Sequence, residues 1–469
     1  MSEVGESTVI EQLSANILDT GFANIDQSTV DNAKNRIIDV IGCVISGANA
    51  PGNPALVRLV RDWGGKREAT ILVHGYKVPA LHAAMVNCIM SRSFDFQPMS
   101  LRIDGKGIPC HITGTTVMTA VTLGGSRGID GKELITALVA GDDFAARVYA
   151  GSDKDWVKGF EHFDSSGTVA AFGATAIASR LLGLNHFQTR NAFGIVINQL
   201  SGAGAGIWGG STIFKLSQGT SARNGIFAAE LAKAGWIGVK DPLFGKGGYY
   251  KAYTHGCDHP DFLTRDLGKK YHVECDFKRY PGGKPTSGPT EAALALVHKH
   301  DIKDDEIEEV TLLLSPPTNY GHYAKPFNHN GDFPSCEALF NYRYAVASAL
   351  VRKSATPKSF LDESISDPRI RALIDKIKLS ELPKPEGIEL KVKMKDGREL
   401  SEYVDCEFYE HIPPRRPPMS RDEIIAKFWS QIEYSQTVSK QNAERLLRSL
   451  ERLEEVSDIN ELVELALGD

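Results

Sequence analysis

Long hydrophobic runs, clustered cysteines and concentrations of basic charge are all scarce in this 469-residue chain. No apolar stretch approaches the ~18 residues that a membrane-crossing helix needs. The acidic start, MSEVGESTVIEQ, lacks the basic-then-apolar order of a secretory leader, so a cytoplasmic protein is expected. Seven cysteines (Cys43, Cys88, Cys110, Cys257, Cys275, Cys336 and Cys406) are scattered, odd in number and never spaced C-x-x-C. That pattern argues against a disulfide frame or zinc knuckle and for buried, reduced thiols. Basic runs are no longer than PPRRPP and the net charge is −6, which leaves no electrostatic footprint for nucleic acid or an anionic membrane. The expected partner is a small molecule.

What the chain has in quantity is alanine, glycine and serine at helical spacing. In STVDNAKNRIIDVIGCVISGA, Val30, Ala33, Ile37, Ile41, Val44 and Ile45 share one face behind a Ser/Thr cap. Similar periodicity recurs in PALHAAMVNCIMSRS, GKELITALVAGDDFAARVYA, GTVAAFGATAIASRLLGL and GTSARNGIFAAELAKAG. Such small residues let helix backbones approach closely, which predicts helices buried on more than one side. Residues 1–265 are therefore expected to form a helical domain. Beyond them EIEEVTLLLSP and GIELKVKMKDGRELSEYVDCE alternate with period two, and Asp396-Gly397 signals a hairpin. The fold class is mainly α with an α+β second domain over 266–405, and helices of 406–469 return to the first domain through a linker marked by Pro413, Pro414, Pro417 and Pro418.

Chemistry-bearing residues gather in a few places. GAGAGIWGG lacks the preceding strand of a dinucleotide loop and reads as an interhelical connection. THGCDHP offers His255, Cys257 and His259 but no further ligands at metal-site spacing, so no metal or other cofactor is expected. SFDFQPMSLRIDGKGIPCHITG is more telling. His111 stands at the beginning of an apolar helix, where free N–H groups and the positive dipole end favour an anion such as a carboxylate. His162 and Asp164 precede a second Gly/Ala helix, and Lys215 precedes a third. Converging helix beginnings would suit a small polycarboxylate. For Asp142 and Asp143, inside a helix, a solvated face accounts for at least one.

The order of NRIIDVIGCVISGA, ATILVHGYKVPALHAAMVNCIMSRSFDF, CHITG, GTVAAFGATAIASRLLGL, GTSARNGIFAAELAKAG, DFKRYPGGKPTSGPTEAAL and CEALFNYRYAVASAL resembles the MmgE/PrpD family over nearly the whole chain. The resemblance implies a helical domain built from both chain ends, a smaller α+β lid, a homodimer, and cofactor-independent chemistry on small di- or tricarboxylates: dehydration, decarboxylation or epimerisation. It also implies site residues. Asp95 matches the family's first acidic residue, His111 its histidine and Tyr344 its lid tyrosine. Asp164 falls where a family histidine stands, with His162 two residues earlier. Phe214 falls opposite the family lysine, with Lys215 next to it, and Ser287 opposite a lid histidine, with Lys284 close by. Gln97 lies where further acidic residues are usual. In this reading His111 does acid/base work, Asp95 orients it or serves as base, Tyr344 donates a proton, and Lys215 and Lys284 neutralise carboxylates, with Ser287 and Gln97 as further substrate contacts. The rival reading is a dimer that kept the fold as a binding or regulatory module.

Overall fold

The computed structural model describes residues 8–104, 106–152, 162–315, 321–384, 387–405 and 417–468. Its first domain is built from helices α1 (Val9–Asp19), α2 (Gln27–Gly47), α3 (Asn53–Trp63), α4 (Ala80–Ser91), α5 (Thr113–Arg127), α6 (Gly131–Ala150), α7 (Val169–Leu181), α8 (His186–Val196) and α9 (Leu216–Lys233). In α2 all six residues of the expected apolar face are buried. Its cap is Asp26 rather than a Ser or Thr: the carboxylate accepts the Thr29 N–H at 3.0 Å and both the Ser28 and Thr29 hydroxyls, satisfying one of the donors a helix start leaves free. Helix α7 runs through the middle, packed by α5, α6 and α9. Small residues permit this. A Cβ on Gly141 of α6 would stand 2.9 Å from the Gly173 carbonyl oxygen of α7, and one on Gly225 of α9 would stand 2.7 Å from the Thr175 nitrogen.

Two small sheets interrupt the helices, which the helical pattern does not reveal. Strands β1 (Ala69–Thr70) and β2 (Lys77–Val78) form a hairpin, and β3 (Met99–Ile103) lies between β4 (Lys106–Ile108) and β5 (Cys275–Asp276), antiparallel to both. Since β5 pairs here and Tyr271 and Val273 enter the first core, the chain stays with the helical domain past the boundary expected at 266.

The second domain folds on a four-stranded sheet of order β7-β6-β8-β9, with β6 Ile307–Leu314, β7 Ile377–Glu381, β8 Ile388–Met394 and β9 Glu399–Val404. Helix α10 (Ser287–Lys299) covers β8 and β9, and α11 (Tyr342–Arg352) covers α10. The expected hairpin turns at Gly397, whose φ of 89° suits glycine. Ile388, Leu390, Val392 and Met394 form its buried face. Strand β7, parallel to β6, has a largely exposed pattern that sequence alternation did not pick out.

Helices α12 (Arg421–Ser435), α13 (Lys440–Glu451) and α14 (Asn460–Leu465) return to the first domain, α12 and α13 on α2 and α14 on α5. Of the prolines expected to mark the return linker, Pro413 and Pro414 lie outside the described residues. The last turn is clasped by Val73, whose N–H donates to Ala466 O at 3.0 Å and whose carbonyl accepts the Gly468 N–H at 2.8 Å. Among the described residues no helix is long and apolar enough to cross a membrane.

Candidate active site

Helix α4 stops at Ser91, and the next residues turn sharply because Asp95 adopts a left-handed conformation with φ 45°. Aspartate tolerates that region better than most residues, and such strain persists only where the surroundings hold it. They do. The Lys278 ammonium donates to Asp95 O at 2.7 Å, to its Oδ2 at 2.9 Å and to Gly282 O at 3.1 Å. One residue on, Lys427 of α12 donates to Phe96 O at 2.7 Å, pairs with Asp39 at 2.7 Å and stands 3.9 Å above the Phe96 ring. Two lysines far along the sequence thus pin the loop.

His111 sits two residues ahead of α5, and its N–H donates to Ser165 Oγ at 2.9 Å. Its Nδ1 lies 3.5 Å from Gln97 Nε2, which lies 3.4 Å from Gln218 Oε1. Gln218, in the first turn of α9, spends its own amide N–H groups on Cys88 O at 2.9 Å and Ser91 Oγ at 2.7 Å. That fixes which end of Gln218 faces Gln97, then which end of Gln97 faces the imidazole. Nδ1 is left as the acceptor and Nε2 as the protonated nitrogen. Three helix beginnings do meet here: Thr115 of α5 donates to Gln218 O at 3.1 Å, and Ser221 of α9 donates to Ser166 O at 2.6 Å in the turn that leads into α7.

Charges close the cluster. Arg92, 1% exposed, places Nη2 3.1 Å from Asp164 Oδ2 and Nε 3.8 Å from Asp95 Oδ1. Asp164 is itself held by its Oδ1, which accepts the Ser166 N–H at 3.0 Å, and by its N–H, which donates to Gly202 O at 2.7 Å. Burial, with the Arg92 guanidinium next in importance, drives the His111 pKa down to about 3, so the imidazole is neutral. Burial pushes the Asp95 carboxyl up, but Lys278 and Arg92 outweigh it and hold the group below its ordinary value, as an anion. Burial lowers Lys278, and the Asp95 charge works against that.

Several buried polar atoms of this cluster have no hydrogen bond among the described residues: Arg92 Nε and Nη1, Asp95 Oδ1, Gln97 Oε1, Asp164 Oδ2 and Ser166 Oγ. Buried polar atoms are nearly always bonded in folded proteins. A cluster of exceptions around one neutral histidine is the arrangement of a site that binds something polar.

The structure therefore brings together Asp95, Gln97, His111 and Asp164, while the contacts described for the other expected residues go elsewhere. Lys215 is a correction. Its ammonium donates to Pro51 O and Asn53 Oδ1, both at 2.8 Å, and burial lowers its pKa to about 8. The neighbouring Phe214 ring takes the position below Arg92 instead, 6.0 Å from the guanidinium carbon. Tyr344 is a second correction. It is fully buried in the second domain's core beside Phe327 and Phe360, and its hydroxyl donates to Ser359 O. His162 is exposed. Lys284 pairs with Asp276 at 3.0 Å, alongside Arg102, and Ser287 is the half-buried first residue of α10. None of these five is hydrogen-bonded or ion-paired with the His111 cluster in the contacts described above.

Arg92, Lys278, Gln218 and Ser165 went unnoticed in the sequence. Arg92 and Lys278 had a signal, since MSRSFDF and DFKRYP place them beside recognised motifs. Asp142 and Asp143 need correction too: both are fully buried and paired with Arg36 and Arg147.

Fold and site together define a mainly helical, two-domain protein with a closed, charged centre where helix beginnings meet the crossing into the second domain. The chain belongs to the MmgE/PrpD family: the family's N-terminal domain model matches residues 11–260 and its C-terminal domain model residues 280–453. It is 26% identical to the cis-aconitate decarboxylase of Mus musculus, over 95% of this chain and 90% of that protein. It is 25% identical to the cis-aconitate decarboxylase-like protein oryM of Aspergillus oryzae, over 99% and 98%, and 22% identical to the cis-aconitate decarboxylase of Aspergillus terreus, over 94% and 92%.

Proposed function

We propose that this chain is a carboxylate lyase, or an isomerase using the same steps, that moves a proton at carbon next to a carboxylate. The observation that carries the proposal is the set of unbonded polar atoms around neutral His111. The names of the relatives, cis-aconitate decarboxylases, support lyase chemistry at family level. The Arg92 Nη1 donor suits one oxygen of a substrate carboxylate. Neutral His111 takes a proton on its ring lone pair, the one Gln97 faces at 3.5 Å, becoming imidazolium, and returns that proton to the leaving or incoming group. Asp95, locked by Lys278, keeps a negative charge beside the ring and would stabilise the imidazolium formed in that exchange. Because the cluster is closed to solvent, the second domain has to open for the substrate and close again. Closure excludes water and strengthens each electrostatic contact.

The reading includes a cytoplasmic homodimer. Phe187, Trp236 and Ile237 are 59%, 62% and 66% exposed. They share a face, since Gln188 reaches Lys233 O and Gly238 N–H reaches Asn191 Oδ1. A second copy covering that face would remove large apolar side chains from water.

The direct test incubates the protein with a panel of small carboxylates in deuterated water and follows C–H exchange and product by NMR. His111→Ala should lower the rate by ~10² or more in a folded variant. A near-normal rate would remove His111 from the mechanism, and inertness of the wild-type protein across a broad panel would favour the binding-module alternative.

A further inference from the structure

The unbonded atoms around His111 differ in kind, and the difference describes a ligand. On the donor side stand Arg92 Nε, turned toward Asp95, and Nη1 on the opposite side of the guanidinium, which can hold one carboxylate oxygen. On the acceptor side stand Asp95 Oδ1, Gln97 Oε1 and Asp164 Oδ2. An acceptor cannot be satisfied by a carboxylate; it needs an O–H or N–H. An unsaturated polycarboxylate offers none and would leave Asp95 Oδ1 and Gln97 Oε1 without a hydrogen bond and Asp164 Oδ2 with only its Arg92 ion pair, the costly case.

Charge points the same way. Within the described cluster the cations are Arg92 and Lys278, and each already faces a protein carboxylate, Asp164 and Asp95. Every substrate carboxylate beyond the one on Arg92 enters without a free cation of its own, and an unpaired buried charge is strongly disfavoured. Position adds a third constraint. Asp164 cannot turn away, because its Oδ1 and N–H are both engaged. With Oδ2 only 3.1 Å from Arg92 Nη2, the acceptor lies beside the guanidinium that would hold the carboxylate.

We infer that the substrate is a small carboxylate, with no more than two carboxyl groups, bearing a hydroxyl or ammonium on the carbon beside the carboxylate held by Arg92, and that Asp164 is the residue that selects for this donor. The inference rests on the carboxylate chemistry proposed above and narrows it. It also sets this chain apart from relatives named for cis-aconitate, which carries three carboxylates and no donor.

Calorimetric titration of the full chain with malate, aspartate, succinate and cis-aconitate tests it. Malate or aspartate should bind at least about 10-fold more tightly than succinate, the same skeleton without the donor, and cis-aconitate should bind weakest. Comparing malate with aspartate separates hydroxyl from ammonium. Asp164→Asn keeps the oxygen that caps the turn but replaces Oδ2 with a donor, so it should erase the preference over succinate. Equal affinity for succinate and malate in the wild-type protein, or a preference unchanged in Asp164→Asn, would overturn the inference while leaving the carboxylate site intact. Failure of all four ligands to bind would overturn both. The wild-type comparison decides the matter even where the variant does not fold.

Discussion

Arg147 and Arg92 are both almost wholly buried in the helical domain, both near a histidine and both paired with aspartate, yet their surroundings differ in one respect. Arg147 is saturated. Its Nε donates to Asp143 at 2.8 Å, Nη1 to Arg265 O at 2.7 Å and Phe262 O at 3.2 Å, and Nη2 to Lys270 O at 2.8 Å. Asp143 in turn accepts the His272 N–H at 2.8 Å. Arg92 keeps two nitrogens without a hydrogen bond among the described residues and has only ion-pair contacts for the rest. The first guanidinium ties α6 to the segment around 262–270. The second is held in place by neighbours but not used up by them. Degree of saturation, rather than burial or charge, separates these two arginines, although Arg36, buried against Asp142, also keeps Nε and Nη2 without a hydrogen bond among the described residues.

The largest effect that could break this comparison is on stability. Arg147→Met leaves Asp143 buried and unpaired and should cost about 3–5 kcal/mol in urea unfolding. Arg92→Met also strips Asp164 of its cation, but it breaks none of the backbone hydrogen bonds that Arg147 makes and Lys278 still neutralises Asp95, so it should cost less, and it should abolish carboxylate binding in calorimetry. Equal losses of stability would erase the distinction. A smaller effect sharpens it through pH. Burial, followed by the adjacent arginine, lowers His111 to about 3 and His272 to about 4. Both lie below the ordinary value of about 6.5, so unfolding takes up protons as pH falls below that value. Their contribution is complete above about pH 6.5 and declines as pH drops toward the folded values. For His111 the loss by pH 5 is about 2 kcal/mol. Melts at pH 7 and pH 5 should show that decline, and His111→Gln should flatten it. An unchanged slope would mean that the ring is not held neutral. The smallest expected change in stability comes from the surface: Trp236→Glu should convert a dimer to a monomer by light scattering while leaving unfolding within about 0.5 kcal/mol.

The sequence made the scaffold legible because small residues at helical spacing and the β8–β9 alternation are local signals. Asp95, Gln97, His111 and Asp164 were legible for a related reason: each stands in or beside a glycine-punctuated lead-in to a helix. Lys215 was misplaced by a single residue. One position turns a side chain by about 100° around a helix, enough to aim the amine at Pro51 and Asn53 and bring Phe214 beneath Arg92. Tyr344 was singled out by the family resemblance, which does not say where a side chain points; Tyr342 and Tyr344 are both fully buried. Gln218 carried no local signal, and Arg92, though beside a recognised motif, draws its importance from Asp164, far along the chain.

The clasp between Val73 and the Ala466–Gly468 turn has a consequence for how the protein comes into being. The hydrophobic interior of the first domain includes Phe428, Leu446, Ile459 and Leu465, so a nascent chain that has already emitted α1 to α9 still lacks part of their partner surface. Completion of that domain waits for more than two hundred further residues to leave the ribosome. During that interval the unfinished half exposes sticky surface, and chaperone capture or proteolysis competes with folding.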